Sequence, residues 1–164
     1  MIKSENFENL KNKIIKKENM YFLVIILLTF FLDRYSKFFI LENFIGDTYY
    51  INDFINLDLV WNTGIGFGLL SSKSTILYNL ITLVIGTVIV ILFIVFFKSD
   101  NYEKFIFTII IGGALGNFYD RLYFRAVPDF IDIHYGNFHW FTFNVADIFI
   151  TLGIIIFLLK NFVK

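Results

Sequence analysis

Residues 74–97 form an uninterrupted run of 24 uncharged residues, STILYNLITLVIGTVIVILFIVFF. A helix of that length extends about 36 Å, which is enough to cross the roughly 30 Å hydrocarbon core of a bilayer. The whole chain has 164 residues, of which 57% are hydrophobic, and it contains one proline. This composition is far more apolar than that of a water-soluble domain of similar length, so we predict an integral membrane protein.

Three further segments are predicted to span the membrane. They cover residues 20–41, 105–122 and 141–159, and the last begins at Phe141 or Thr142. Asp33 and Lys37 share one face of the first helix because they are four residues apart. We predict an all-α integral membrane protein in which residues 20–164 form a single domain with four transmembrane helices.

The distribution of basic residues predicts the orientation. With four spans and a cytoplasmic N-terminus, nine of the 14 lysine and arginine residues are on the cytoplasmic side and five on the outer side. Cytoplasmic loops of membrane proteins carry an excess of positive charge, so both termini are predicted to be cytoplasmic. Residues 1–19 are then a basic cytoplasmic extension. The first span is interpreted as an uncleaved anchor because no small-x-small cleavage site follows Leu32.

The two predicted outer segments, residues 42–73 and 123–140, are rich in Tyr and Trp. These side chains favour the membrane interface. Leu57, Leu59 and Trp61 alternate with other residues within INLDLVWN, residues 55–62. A period of two predicts a short strand, so we expect a small β-containing segment on the outer membrane face.

Several carboxylates lie near the predicted outer face. Asp147 lies about five residues into its span, roughly 7 to 8 Å deep, where a bare carboxylate costs a few kcal/mol. Two carboxylates that share one proton can activate water and protonate a leaving amine, and Asp129 and Asp147 can converge because they come from different elements. Asp120 is expected to pair with its neighbour Arg121 and to support the site, and Asp132 is interpreted as a surface or strand-end acid.

Three other sequence patterns give weaker evidence of function. Two of them are interpreted as structural, and the third allows either a structural or a ligand-binding role. No metal or other cofactor is predicted, because His134 and His139 lack a third ligand of convincing spacing. The Ser-Ser-Lys sequence at residues 71–73 is interpreted as a polar turn and not as a Ser–Lys catalytic pair. The glycines of GGALG, residues 112–116, allow close approach of either another helix or a ligand, and the sequence leaves both alternatives open. The chain has no cysteine, which excludes a cysteine nucleophile.

Five sequence blocks carry a family resemblance. In chain order they are DRYSK at 33–37, NTGIGFG at 62–68, GGALGNFYDR at 112–121, PDFID at 128–132 and FNVAD at 143–147. Each is weak alone, but their order and spacing resemble the signature blocks of lipoprotein signal peptidase, or signal peptidase II. The resemblance implies an intramembrane aspartic endopeptidase of the bacterial inner membrane, with its active site near the outer face. It implies cleavage of signal peptides from diacylglyceryl-modified prolipoproteins, on the N-terminal side of the lipidated cysteine.

The resemblance also assigns residues and partners. It implies that Asp129 and Asp147 are the catalytic pair. The residues expected to frame the site and bind substrate are Asp33, Lys37, Asn62, Gly64, Asn117, Asp120, Arg121 and Asn144. Lys37 is expected either to pair with Asp33 or to contact a lipid phosphate. Lipid-modified prolipoproteins and membrane lipid are the expected partners, with no nucleic acid and no obligate protein partner.

Three positions depart from the family pattern. Arg34 stands where glutamine is usual, Gly66 replaces a common alanine, and Pro128 replaces the valine that usually precedes the first catalytic aspartate. Pro128 is expected to have the largest effect, because it removes a backbone donor and fixes φ beside Asp129.

Two other classes of protein remain as alternatives. A small proton- or ion-coupled transporter also places carboxylates in the membrane, but paired, broken helices and polar groups nearer the midplane are expected of it. A structural subunit needs no convergent polar blocks. The concentration of polar residues at one end of the predicted spans favours the peptidase.

Overall fold

The structure is a computed structural model that describes residues 17–44, 46, 48–64 and 75–162. The described helices are α1 (Lys17–Asn43), α2 (Thr75–Lys98), α3 (Asn101–Tyr123) and α4 (Val145–Phe162). The described strands are β1 (Tyr49–Asn52), β2 (Ile55–Asn62), β3 (Val127–Tyr135) and β4 (Phe138–Phe143). The predicted combination of helices with a small sheet is therefore confirmed, and the predicted strand at residues 55–62 coincides with β2.

Helix α3 packs against each of the other three described helices. Only Ser99 and Asp100 separate it from α2, and the Asp100 side chain accepts a hydrogen bond of 2.8 Å from the backbone N–H of Glu103. Such a cap satisfies one of the free N–H groups at a helix start. The buried apolar core of the bundle is formed by Ile26, Phe96, Ile106, Phe107, Ile110 and Ile111.

The glycines of α3 let its neighbours approach closely. A Cβ atom on Gly112 would overlap the hydroxyl of Thr29 in α1, and one on Gly116 would overlap the carboxylate of Asp33. On another face of α3, a Cβ on Gly113 would lie 2.6 Å from the carbonyl oxygen of Ala146 in α4. For the GGALG sequence, helix packing is therefore what the structure shows.

The four strands form one antiparallel sheet in the order β1-β2-β3-β4. Residues 141–143 lie in β4, paired with β3, so the fourth apolar segment becomes helical only at Val145. The prediction that this helix starts at Phe141 or Thr142 was wrong because the sequence is largely apolar on both sides of the junction at Asn144. Hydropathy alone does not distinguish the two conformations.

Two of the described helices, α2 and α4, are long and apolar enough to cross a membrane. Helices α1 and α3 also carry charged residues, and five of these are buried inside the bundle. They are Asp33, Lys37, Lys104, Asp120 and Arg121. Because these side chains are buried, α1 and α3 can carry charge without exposing it to an apolar environment.

Some predictions fall wholly or partly outside the described residues. Residues 71–73 and Gly66 are among these, as is most of the predicted extension 1–19. Residues 17–19 are described and belong to α1, where Asn19 is buried and accepts a hydrogen bond of 2.8 Å from Lys104. The division of the chain at residue 20 stays a prediction.

Candidate active site

The FNVAD block folds into a capping box at the start of α4. The backbone N–H of Asp147 donates to the side-chain oxygen of Asn144 at 3.1 Å, and the backbone N–H of Asn144 donates to the Asp147 carboxylate at 3.2 Å. This reciprocal pair is the N-cap-to-third-residue pattern that starts many helices. Asp147 is therefore the third residue of α4 and lies closer to the helix start than the predicted five residues. The positive end of the helix dipole favours a carboxylate there.

Asp129 lies on β3 and faces β2. Its carboxylate accepts hydrogen bonds from the side chains of Asn62 at 2.8 Å and Asn144 at 2.6 Å. Asn62 reaches it diagonally across the sheet, because the residue directly opposite Asp129 is Val60. Burial and the nearby charge of Asp147 raise the pKa of Asp129 from 3.8 to about 6, although its two amide partners act in the opposite direction. A carboxyl group with this pKa can exchange a proton near neutral pH.

Asn144 connects the two aspartates that the sequence predicted to converge. Its side-chain nitrogen donates to Asp129 on β3, while its backbone N–H donates to Asp147 on α4. Asn144 is the single residue between β4 and α4. One junction residue thus holds carboxylates from two different elements in one cluster.

A buried lysine supports the cluster from behind. The Nζ atom of Lys37 donates to Asp33 at 2.9 Å, to Asn117 at 2.7 Å and to Asp120 at 2.7 Å. Asn117 in turn donates from its side-chain nitrogen to Asp147 at 2.8 Å. The lysine side chain is only 1% exposed. Of the two alternatives for Lys37, the structure therefore shows the pairing with Asp33, and all three hydrogen bonds of its Nζ atom go to side chains of the protein.

The expected ion pair between Asp120 and Arg121 was wrong. Asp120 pairs instead with Lys37 and Arg34, and both partners lie on α1. Arg121 donates to the backbone carbonyl oxygens of Gly64 at 2.8 Å and Asn117 at 3.2 Å. The physical reason is helical geometry, since consecutive residues on a helix point in different directions and do not face each other.

Gly64 belongs to the same network through its backbone. Its N–H donates to the side-chain oxygen of Asn62 at 2.8 Å, and its carbonyl oxygen accepts from Arg121. The start of the NTGIGFG block is thus held between β2 and α3. Residues 65–68 of that block lie outside the described part of the chain.

Pro128 occupies a place in β3 where a missing backbone donor is tolerated. It pairs with Trp61 on β2, but the pairing of β3 with β4 begins only at Ile131, opposite Phe143. No described strand therefore lies on the β4 side of Pro128. Proline is accepted near strand starts and at unpaired edges for this reason, and Asp129 keeps its place beside Asn62 and Asn144.

An apolar cavity opens beside Asp147. It has a volume of about 230 Å³ and is lined by Phe141, Phe143, Asp147, Ile148, Thr151 and Leu152. Its walls are almost entirely hydrophobic, and Asp147 is the charged group among them. The cavity therefore places a carboxylate at the edge of a space suited to an apolar side chain or acyl chain.

Comparison with known proteins identifies the family. The sequence profile described as Signal peptidase (SPase) II matches residues 25–163. The lipoprotein signal peptidase of Pelagibacter ubique (strain HTCC1062) is 50% identical over 146 residues, which are 87% of this chain and 88% of that protein. The chain belongs to the signal peptidase II family. The resemblance inferred from the five blocks is confirmed.

Other members of the signal peptidase II family and solved structures are also similar. The lipoprotein signal peptidase of Francisella tularensis subsp. novicida (strain U112) is 44% identical over 110 residues, 65% of this chain and 68% of that protein. A bacterial membrane enzyme solved by the in meso method at 2.3 Å resolution aligns with a TM-score of 0.68 and 32% identity, over 86% of this chain and 88% of that one. The fold is therefore that of a membrane enzyme.

All ten residues that the sequence assigned to this signal peptidase II site lie in one hydrogen-bonded network. Sequence reasoning missed two of its other members. Arg34, noted only as a departure, binds both Asp33 and Asp120, and the Tyr78 hydroxyl donates to the Arg121 carbonyl oxygen at 2.8 Å. Arg34 carries a detectable signal, since a charge inside an apolar helix needs a partner. Tyr78 carries none.

Proposed function

We propose that this protein is an intramembrane aspartic endopeptidase that uses Asp129 and Asp147 to remove signal peptides from diacylglyceryl-modified prolipoproteins. Family membership supports the activity, and relatives of this chain are lipoprotein signal peptidases. The single observation that carries the assignment of residues is the bridge made by Asn144, which holds both carboxylates from different elements. A carboxylate pair in a poorly solvated site is the arrangement by which aspartic proteases cleave peptide bonds.

The proposed mechanism needs one proton on the pair. The ionised carboxylate takes a proton from the attacking water, while the protonated carboxyl group hydrogen-bonds the scissile carbonyl oxygen. The nitrogen of the leaving group is then protonated, and the pair regains its starting state with one proton. Two like charges in close proximity resist simultaneous ionisation. The raised pKa of Asp129 has burial as its first cause and the charge of Asp147 as its second, in agreement with this requirement.

We propose different roles for the other predicted site residues. The three amides, Asn62, Asn117 and Asn144, contact the carboxylates and fix their orientation. Lys37 pairs with both Asp33 and Asp120, whereas Arg121 donates to the backbone carbonyl oxygens of Gly64 and Asn117. We assign these four buried charged residues to positioning of the elements that carry the pair. Gly64 is held by its backbone on both sides, which supports a role for its segment in binding extended substrate.

The cavity beside Asp147 supports a lateral approach of substrate. Phe143 and Leu152 are among its apolar walls, and it lies on the side of α4 that carries the carboxylate. The hydrophobic signal peptide and the acyl chains both reside in the bilayer before cleavage. We propose that apolar parts of the substrate occupy this cavity while the scissile bond lies against Asp129 and Asp147.

We also propose that all four described helices span the inner membrane, with both termini cytoplasmic and the sheet at the outer face. Large apolar side chains of α1, including Leu27, Leu28 and Phe31, are more than half exposed, as lipid-facing residues are. The site and the sheet lie at the end of the bundle opposite the Ser99–Asp100 connection. A transporter is not favoured, because the polar network gathers at this one end.

The test is cleavage of a diacylglyceryl-modified prolipoprotein by purified variants in detergent or lipid. Asp129→Asn and Asp147→Asn should each remain folded and bind substrate, while turnover falls by orders of magnitude. The double variant should be little worse than either single one, because the pair acts as a unit. Asp58→Asn, an acid of the same sheet that bonds Thr48, is the matched control and should cleave normally. Substantial turnover by Asp147→Asn would exclude the proposed pair.

Substrate lipidation provides a second arm of the test. The wild-type protein should cleave the diacylglyceryl-modified precursor faster than the unmodified precursor with the same sequence. Equal rates for the two precursors would contradict recognition of the lipid while leaving the catalytic pair intact.

A further inference from the structure

Three side chains of types that can ligate a metal ion cluster on the face of the sheet that is turned away from Asp129. Asp132 and His134 are two residues apart in β3 and therefore share a face, whereas Asp129 is three residues from Asp132 and points to the opposite face. His139 lies on β4, directly opposite His134. The sequence showed no third ligand of convincing spacing for the two histidines. Asp132, which was interpreted as a surface or strand-end acid, is instead buried within β3 and supplies that ligand.

The register of the hairpin brings the third side chain into place. Pairing runs from Ile131↔Phe143 to Ile133↔Phe141 and then shifts to His134↔His139, which leaves Trp140 as an extra residue in β4. In an unshifted register Trp140 would lie opposite His134. The bulge therefore presents an imidazole where a regular strand would present an indole.

The ligand atoms converge on a small volume. The Nδ1 atom of His139 lies 2.7 Å from the Oδ2 atom of Asp132, and the Nδ1 atom of His134 lies 3.7 Å from the same oxygen. One atom from each of the three residues lies within 4.8 Å of the others. Tetrahedral Zn²⁺ with ligands at about 2.0–2.2 Å separates its ligand atoms by about 3.3–3.6 Å. The observed distances bracket this range, so small side-chain rotations complete the geometry.

A second observation, independent of these distances, points to the same cluster. His134 is only 6% exposed, and its buried Nδ1 atom has no hydrogen-bond partner within the described part of the chain. A buried polar atom without a partner costs about 1–3 kcal/mol. The Asn56 side-chain oxygen is also buried and unpaired among the described residues, and Asn56 is the residue opposite Asp132 on β2. Both unpaired atoms thus belong to residues on the same face of the sheet, around Asp132.

We propose that Asp132, His134 and His139 bind one Zn²⁺ ion and so tie β3 to β4 at the outer face of the protein. Two imidazoles and one carboxylate are ligands that zinc prefers, and three protein ligands leave a fourth position for water. The Asn56 oxygen, on the residue opposite Asp132, is the candidate acceptor for a hydrogen bond from that water. Binding of the ion replaces the hydrogen bond between His139 and Asp132, and the proton of that bond is released. His139 is 57% exposed at its side chain, which gives the ion access.

The site is structural in this proposal and separate from peptide hydrolysis. The tied hairpin carries Asp129 near the start of β3 and leads through β4 to Asn144. A metal bridge between the two strands would limit opening of the hairpin whose two ends hold the carboxylate pair. Metal binding here does not depend on the proposed catalytic function, so each can fail without the other.

The experiment measures zinc binding by the full-length protein in detergent. The protein is purified through a tag without histidine, stripped with a chelator, equilibrated with Zn²⁺ and analysed for bound metal, and Co²⁺ absorption reports on the ligand geometry. One Zn²⁺ per chain is expected. His139→Ala and Asp132→Asn should each weaken binding at least about tenfold, and Asp58→Asn on the same sheet should bind as the wild type does.

Thermal unfolding gives a readout that does not depend on metal analysis. Zn²⁺ should raise the Tm of the wild-type protein and leave that of His139→Ala unchanged, since a ligand stabilises only the state that binds it. His139 is exposed, so its replacement leaves the fold intact. Absence of zinc from the wild-type protein, or one zinc per chain in a variant that lacks both histidines, would overturn the proposal.

Discussion

The carboxylate of Asp33 on α1 accepts a hydrogen bond of 2.9 Å from the backbone N–H of Ala146, which lies 113 residues further along the chain. Ala146 is the second residue of α4 and directly precedes Asp147. The N–H groups at a helix start have no partner within the helix. Asp33 thus supplies an anion from another helix to the start of α4. This bond fixes the position of the helix start relative to α1, and therefore the position of Asp147 in the site.

Replacement of Asp33 should separate its two roles. Asp33→Asn keeps an oxygen for the Ala146 N–H but loses the charge that faces Lys37 and Arg34, whereas Asp33→Ala loses both. Removal of one partner from a buried ion pair costs about 3–5 kcal/mol, so Asp33→Ala should be strongly destabilised in detergent unfolding experiments. Asp33→Asn should lie between Asp33→Ala and the wild type, and equal stability of Asp33→Ala and the wild type would contradict the structural role.

Asn144→Ala should reduce turnover more than it reduces stability. The substitution removes the donor to Asp129 and the cap of α4, and loss of a cap costs about 1 kcal/mol. Loss of one preorganised donor in an active site lowers kcat by about 100-fold or more. Asn161→Ala, at an exposed amide near the other end of α4, is the matched control. If Asn144→Ala lowers turnover by less than about threefold, and not by the expected 100-fold or more, the contacts of Asn144 with Asp129 and Asp147 are dispensable.

Stability should fall as the pH rises from about 4 to about 6. The pKa of Asp129 is about 6 in the folded protein, whereas an ordinary aspartate, as in the unfolded chain, has a pKa of 3.8. The folded state therefore holds this proton more tightly than the unfolded state. The corresponding stabilisation is complete below the unfolded pKa and is lost as the pH passes the folded pKa, with a total of roughly 3 kcal/mol. Thermal unfolding at a series of pH values should show this slope in the wild type. Asp129→Asn should flatten it, and an equal slope in both proteins would assign the effect elsewhere.

Gly116→Ala should disturb the site through packing alone. The added methyl group would overlap the Asp33 carboxylate, which has no room to withdraw because it is fully buried and bonded to Lys37. Overpacking of this kind costs about 1–3 kcal/mol, and both stability and turnover should fall. Gly86→Ala is the comparison, because the same methyl group there meets only the ring of Phe118, at 3.1 Å. If the two variants were equally stable, close approach at Gly116 would not matter.

Labelling of introduced cysteines tests the proposed orientation. The chain has no cysteine, so Asp53→Cys in the exposed β1–β2 turn and Lys98→Cys at the end of α2 each create one reactive site. An impermeant thiol reagent added to intact cells should label the Asp53→Cys variant. It should label the Lys98→Cys variant only after the membrane is permeabilised. Labelling of both positions from the outside would rule out four spans with cytoplasmic termini.

Much of the site could be predicted because its residues lie in ordered blocks that identify a family. Asp129 and Asp147 were selected from the sequence, and the structure brings both to Asn144. The partners of Asp120 could not be predicted, because they lie on α1, more than 80 residues away along the chain. Pairings of this kind depend on which helix faces are in contact, and adjacency in sequence carries no information about that.

The sheet could also be predicted only in part. Alternation predicted β2 correctly, but the last residues of β4, 141–143, were assigned to the fourth span because the sequence is largely apolar on both sides of Asn144. The position of His139 opposite His134 depends on a single extra residue in β4. A one-residue shift of register reverses the face on which every following side chain lies, and no composition or spacing rule specifies such a shift.

The ion network between α1 and α3 also bears on the order in which this protein can be assembled. Asp33, Arg34 and Lys37 emerge from the ribosome early, whereas Asp120 follows Arg34 by 86 residues. At about 5–20 residues per second, translation of that interval takes roughly 4 to 17 seconds. During this time Arg34 and Lys37 can pair with Asp33 on the same helix but lack Asp120. The complete network therefore forms only when α3 packs against α1, and the site is complete only when α4 brings Asp147 to it.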